Sequence, residues 1–199
     1  MFRKGILVAS AVVLLSLAAS AQRGAVVLSR NLAELTAQAE TIVVARVAFA
    51  EVKSHPQFHN LQTVVVTLRV DETLKGIPQQ ALTFRQFIWD PRDIADRAAY
   101  RRGDEVLLLL NKVNAYQLTS PAGLNQGRFE IRRDAAGKGY AVNGNGNQGL
   151  FDGMTPVATA LSARSRAVIA KAQTIAGPVA LDDLRQTILD LVSLQGRER

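Results

Sequence analysis

The sequence of 199 residues contains no cysteine, so no disulfide bond can stabilise the fold. The same absence excludes a lipoprotein anchor, which is attached through a cysteine at the mature N-terminus. Residues 195–199 are short and charged and provide no hydrophobic tail for a second kind of anchor. We therefore expect a core that holds without covalent cross-links and a protein with no stable membrane anchor.

Long runs of like charge are also absent, since no five consecutive residues carry the same sign. This absence argues against a basic arm for nucleic acid. The formal net charge of +7 falls to +5 if Arg3 and Lys4 are removed with a leader. Such a basic excess favours acidic partners, an anionic glycan or a lipid headgroup, although a small surplus also serves solubility.

Residues 1–21 have the pattern of a secretory signal peptide. Arg3 and Lys4 precede an apolar run of about 15 residues, shorter than the roughly 20 that a membrane-spanning helix needs. Small residues ending at Ala21 form a cleavage site, and the predicted mature chain begins at Gln22. The sequence thus predicts an exported protein, periplasmic or secreted, for which nucleic acid is not an expected partner.

The remaining chain is dominated by strand patterns. Residues 62–71 alternate apolar and polar side chains with a period of two, whereas residues 106–110 are apolar on both faces. Successive strands without helices between them favour an antiparallel sheet over a parallel α/β sheet. We expect a mainly β (α+β) fold, a small antiparallel OB-like or meander β-barrel with a short N-terminal helix over 29–40. Asn31 can cap this helix, and Glu34, three residues later, is its capping-box partner.

Composition divides the predicted mature chain into three parts. Residues 22–143 form the predicted β-barrel domain. Residues 144–179 are rich first in Gly and Asn and then in Ala, which predicts a loop or a loosely packed segment. Residues 180–196 carry an apolar stripe at helical spacing and are predicted to pack on the barrel as an amphipathic helix.

Three blocks of sequence resemble exported bacterial proteins of unassigned function. They are LAELTAQAETIVVARV (32–47), VTLRVDETLKG (66–76) and GDEVLLLL (103–110). The fold of those proteins is similar to the OB-like barrel of netrin modules and the tissue inhibitors of metalloproteinases, which the resemblance implies for about residues 30–133. It does not imply protease inhibition, because those inhibitors chelate zinc through an N-terminal cysteine and Gln22 is predicted there.

Motifs for catalysis and cofactors are weak. The G-x-G-x-x-G match over 144–149 lacks the helix that a dinucleotide site requires directly after it, so it predicts a loop. His55 and His59 have an H-x₃-H spacing, but Pro56 places them in a loop and two ligands do not complete a tetrahedral zinc shell. A solvated loop is the favoured interpretation, and no metal or cofactor is predicted.

Three arginines are the candidate binding residues. Arg46, Arg69 and Arg85 each lie on the more polar face of a predicted strand, and Trp89 and Tyr100 follow nearby. If the strands are neighbours, the guanidinium groups form a basic stripe beside aromatic rings, which suits an anionic ligand. The alternative is an ordinary solvated sheet face.

We therefore expect an exported, non-enzymatic binding or interaction module whose partner is an envelope protein or an anionic envelope component. Two other functions stay open at this point. One is an envelope hydrolase or metal-dependent enzyme that uses carboxylates with His55 and His59, and the other is a structural or assembly protein.

Overall fold

The computed structural model describes residues 28–174 and 177–197, so the predicted signal peptide and its cleavage site between Ala21 and Gln22 lie outside the described residues. Seven strands form one sheet in which every adjacent pair is antiparallel. The strands are β1 (Thr41–Ser54), β2 (Gln62–Lys75), β3 (Ala81–Phe87), β4 (Glu105–Leu110), β5 (Arg128–Arg133), β6 (Gly139–Asn143) and β7 (Val179–Ala180).

The helices are α1 (Leu32–Gln38), α2 (Thr155–Ala158), α3 (Ala163–Thr174) and α4 (Leu181–Arg197). The predicted mainly β, antiparallel class with a helix near each end of the described chain is confirmed. The strand order is β3-β2-β1-β4-β5-β6-β7. Within the described residues no strand pairing joins β3 to β7, so closure into a barrel is not shown. No helix in the described ranges is long and apolar enough to cross a bilayer.

Local sequence explains how α1 begins. The Glu34 amide donates to Asn31 Oδ1 at 3.0 Å, and the Asn31 amide donates to Glu34 Oε2 at 2.9 Å. This reciprocal pair is the capping box that the sequence predicts, and it satisfies amide groups that have no partner within the helix. Leu32 and Leu35 then point from α1 into the core.

A hydrophobic core lies on each face of the sheet, and β4 contributes to both cores. Leu107 and Leu109 lie in the first core, between the sheet and the helices, whereas Val106, Leu108 and Leu110 lie in the second core on the opposite face. This arrangement confirms that the doubly apolar strand is covered from both sides. The helix α4 packs Leu184, Ile188 and Leu191 into the first core, as its apolar stripe predicts.

The second core is covered by a strap, residues 89–100, which contains a single 3-10 turn at Pro91–Ile94. Its last part is left-handed, because Arg97, Ala98 and Ala99 have φ angles of 57°, 53° and 63°. Such a conformation costs a residue with a side chain roughly 1–2 kcal/mol. The guanidinium group of Arg128 donates to the carbonyl oxygens of Ala98 and Ala99 and so holds this turn in place.

The predicted loop or loosely packed segment over 144–179 needs correction. It contains α2, α3 and Val179, the first residue of β7. It also buries apolar side chains in the first core. These are Leu150, Phe151, Met154, Leu161 and Ile169. The Asn147 side chain donates to the carbonyl oxygens of Ala141 and Gly177 at 2.9 and 2.8 Å. Large apolar residues are few in this segment, but tertiary contacts bury these five.

Candidate functional site

The helices leave one part of the sheet uncovered. The first core ends where β1 and β2 extend beyond α4, and the same sheet face continues across β1, β2 and β3. We call this surface the arginine face. It comprises Arg46, Phe49, Glu51, Lys53, Thr63, Val65, Thr67, Arg69, Ala81, Thr83, Arg85 and Phe87, which share one side according to the strand register. Phe49 is 52% exposed there, so about half of this large side chain is in contact with solvent.

All three predicted arginines lie on this face. Arg46 of β1 is directly opposite Arg69 of β2, and Arg85 of β3 is opposite Val65, four residues from Arg69 along the same strand. The strands are sheet neighbours in the order β3-β2-β1. The juxtaposition that the basic stripe requires is therefore present.

The charges of these arginines are balanced to different degrees. Arg46 Nη2 is 2.6 Å from Glu105 Oε1, and Glu105 also binds Arg133 at 2.8 Å. The hydrogen bonds from Arg133, followed by the charges of both guanidinium groups, lower the pKa of Glu105. Glu105 is thus ionised and offsets the charge of Arg46. Because Arg46 already binds Glu105, its guanidinium group has few free donors for a ligand.

Arg69 and Arg85 are less constrained by acidic groups. Arg69 reaches Asp71 at 3.5 Å, and both side chains are exposed, so this pair contributes little. Arg85 Nη1 donates to Thr63 Oγ1 at 2.7 Å and to the Ser54 carbonyl oxygen at 3.4 Å. In the described part of the chain Arg85 forms no ion pair. Neutral groups therefore hold its guanidinium in place, while Glu51 on the same face pairs with Lys53 at 2.7 Å.

A groove of about 470 Å³ lies beside the arginine face. Phe87 belongs to both surfaces, which makes them continuous. Trp89 is 67% exposed, and its ring meets Phe87 edge to face with 4.7 Å between ring centroids. The remaining lining residues are Leu61, Asn111, Lys112, Asn114, Leu118, Thr119, Ser120 and Leu124.

The loop over 111–120 forms the far wall of the groove and is fixed at several points. The Thr119 amide donates to the Arg85 carbonyl oxygen of edge strand β3 at 2.9 Å, and the Asn111 amide donates to the Ser120 carbonyl oxygen at 3.0 Å. Asn114 Oδ1 accepts from the amides of Tyr116 and Leu118. The groove is therefore bounded by a loop with a defined backbone course.

His55 is buried, which corrects the predicted solvated loop at this residue. It is 2% exposed, and its Nδ1 accepts from the amides of Gln57 and Phe58 at 3.1 and 3.2 Å. Nε2 therefore carries the proton and donates to the Tyr116 carbonyl oxygen at 2.8 Å. Both ring nitrogens serve the structure, and His55 connects the 55–61 turn to the groove loop.

His59 is exposed, in contrast to His55. Within the described residues, no group of three or more His, Cys, Asp or Glu side chains is arranged to hold a metal ion.

Tyr100 does not belong to the arginine face. It is buried in the second core on the opposite side of the sheet, where its hydroxyl donates to Gln86 Oε1 at 3.0 Å. The Arg128 guanidinium carbon is 4.4 Å from the ring centroid. Burial raises the pKa of Tyr100 to about 12. The strap turns inward at its end, so proximity to Trp89 in sequence does not place Tyr100 at the surface.

Sequence reasoning missed Phe49, Phe87, Lys112 and Asn114. Strand alternation places Phe87 with Arg85 and was a usable signal for that residue. No local signal identifies Lys112 or Asn114, because they reach the groove only through the contact between their loop and the edge of β3.

Comparisons with protein-family models, with curated proteins and with solved structures found no match. The resemblance to exported OB-like barrel proteins is therefore still an expectation drawn from the sequence blocks.

Proposed function

We propose that this protein is an exported, non-enzymatic binding module that holds an acidic glycan of the cell envelope on the arginine face. The observation that carries the proposal is that Arg85, which forms no ion pair in the described chain, shares a sheet face without helix cover with the weakly paired Arg69. A guanidinium group presents a planar set of donors that matches a carboxylate, and its charge is permanent.

The chemistry of this face favours a glycan over a protein partner. Protein interfaces usually centre on buried apolar and aromatic side chains. Here the centre of the face carries Thr67 and Thr83, whose hydroxyls are 3.1 Å apart, between the arginines. Phe49 is the large apolar side chain of the middle of this face. Hydroxyl and guanidinium groups on a three-stranded surface complement the hydroxyls and carboxylates of an acidic polysaccharide.

Calorimetric titration with polygalacturonate tests the proposal. Arg85→Ala and Arg69→Ala should each weaken binding by about tenfold or more, because each removes a charged donor to a carboxylate. Arg46→Ala should have a smaller effect, since Glu105 already occupies that guanidinium group. Added salt should weaken binding to the native protein.

Arg132→Ala provides the matched control. Arg132 is an exposed arginine that pairs with Glu130 on the opposite face of the sheet, so its loss removes the same formal charge. Binding by Arg132→Ala should equal that of the native protein. If Arg132→Ala weakens binding as much as Arg85→Ala does, the effect comes from net charge and not from the arginine face, and the proposal is overturned. The absence of binding to the native protein would also overturn it.

A further inference from the structure

We infer that the groove beside Trp89 is a saccharide subsite that takes one acidic sugar ring, with the ring against Trp89 and its carboxylate paired with Lys112. This inference rests on the proposed function and makes it more specific. It assigns the ligand an acidic ring at a defined place.

The aromatic wall of the groove supplies the surface for a sugar ring. Trp89 is held at one edge by Phe87 and keeps most of its indole surface open to solvent. The volume of about 470 Å³ falls within the range of about 300–1,000 Å³ that is usual for small-molecule sites. An exposed aromatic ring with an apolar body and a wet rim suits a pyranose, which presents C–H groups on one face and hydroxyls at its edge.

The opposite wall supplies donors that the protein does not use. Asn114 Oδ1 accepts two backbone hydrogen bonds, whereas none of the described residues accepts from its Nδ2 group. The Lys112 ammonium group likewise has no partner among the described side chains. An amide donor and a cation thus line the same groove as the two aromatic rings. Lys112 provides the charge complementarity that selects an acidic ring over a neutral one.

The groove is prepared for a ligand before binding. Its far wall is fixed by the bond from the Thr119 amide to β3, by the Asn114 turn and by the bond from His55 to the Tyr116 carbonyl oxygen. A ligand therefore does not have to order this loop, which lowers the entropic cost of association. Because Phe87 is shared, a chain of acidic sugars can leave the groove directly over Arg85.

The sequence contains one tryptophan, so intrinsic tryptophan fluorescence reports on this groove alone. The test uses tetragalacturonate and its fully methyl-esterified form, which keeps the rings and lacks the charges. Tetragalacturonate should protect Trp89 from acrylamide quenching in a saturable way, and the ester should protect it less at the same concentration. In Lys112→Gln the difference between the two oligosaccharides should decrease.

Calorimetry then measures the contribution of the ring. Trp89→Ala should weaken binding of tetragalacturonate about tenfold, the scale expected for one aromatic contact. Tyr140→Ala is the control, because this partly exposed ring lies on β6 beside Lys138, outside the groove lining and the 111–120 loop. Its affinity should be unchanged. Trp89 is largely exposed, and circular dichroism verifies that its replacement leaves the fold intact.

The outcomes separate this inference from the proposed function. If polyglutamate and tetragalacturonate both bind through Arg69 and Arg85 while Trp89 stays fully accessible to acrylamide, the arginine face stands and the subsite is overturned. Equal protection by the acid and the ester overturns the role of Lys112 and the choice of an acidic ring. If tetragalacturonate does not bind at all, both proposals fail.

Discussion

The two ends of the sheet are covered in different ways. Around β4 and β5, helices pack on one face and the strap on the other, so Leu107 and Leu108 are both fully buried although they point in opposite directions. On β3, Phe84 is buried in the second core, whereas neighbouring Arg85 lies on the arginine face. The extent of the helical layer therefore determines which part of this sheet face is exposed to solvent.

The covers themselves also differ in conformation. The helical layer uses regular backbone and contributes Leu184, Ile188 and Leu191 from one stripe of α4. The strap has one 3-10 turn and three consecutive left-handed residues held by Arg128. The strap has little regular secondary structure, and its left-handed residues have a higher conformational energy than helical ones. It covers the face of the sheet on which Tyr100 is buried.

The largest effect is expected from a substitution in the helical layer. Ile188→Ala in α4 should lower the free energy of unfolding by about 2–5 kcal/mol, because Ile188 is fully buried and its removal leaves a cavity. Phe49→Ala, on the uncovered face, should change it by no more than about 0.5 kcal/mol. Urea denaturation of both variants measures the contrast. A comparable loss for Phe49→Ala would show that the arginine face is covered in the protein.

An intermediate effect is expected from pH in the second core. The pKa of Tyr100 is about 12 in the folded protein against 10.0 as its ordinary value, so folding favours the neutral phenol. This contribution is fully present below about pH 10 and is lost as the pH rises towards 12, which corresponds to about 2–3 kcal/mol.

Urea denaturation at about pH 9 and about pH 12 should detect this loss. Tyr100→Phe should make the difference between the two pH values smaller, since it removes the titrating hydroxyl. Tyr116→Phe, at an exposed tyrosine, is the control and should retain the native difference. An unchanged pH dependence in Tyr100→Phe would contradict the assignment.

The smallest effect has an unusual sign. Ala98→Gly in the strap should raise the free energy of unfolding by about 1 kcal/mol, because glycine adopts a positive φ without steric cost. Ala167→Gly, at an exposed position within α3, should lower it by about 0.5–1 kcal/mol. Thermal unfolding compares the two. Destabilisation by both variants would mean that the strap is not left-handed in solution.

Much of the fold was predictable because its signals are local. The alternation over 62–71 and the doubly apolar 106–110 both correspond to strands, and the Asn31 and Glu34 cap begins a helix as expected. The interpretation of 144–179 as a loop or loosely packed segment was wrong, because a composition rich in Gly, Asn and Ala was taken to mean weak packing. Leu150 and Phe151 show that sparse apolar residues suffice when α1 and α4 supply the other side of the contact.

The candidate site was predictable only in part. Alternation placed Arg69 and Arg85 on outward faces, but it does not state which strands are neighbours. His55 was misjudged because its partner, the Tyr116 carbonyl oxygen, is 61 residues away. Tyr100 was misjudged because Arg128 and Gln86 hold it inside. The groove had no sequence signal, since it exists only where the 111–120 loop meets the edge of β3.

The sequence alone determined which side of each long strand is polar, how α1 is capped, and that no disulfide bond contributes to stability. These properties depend only on composition and on residues close together in the sequence, such as the alternation of apolar and polar residues along a strand. Two features follow from the tertiary structure alone: the helical layer does not cover β3, and Trp89 and Lys112 line the same groove. Both the covering of the sheet by helices and the meeting of groove residues depend on contacts between segments far apart in the chain. A local period of apolar residues does not specify such contacts.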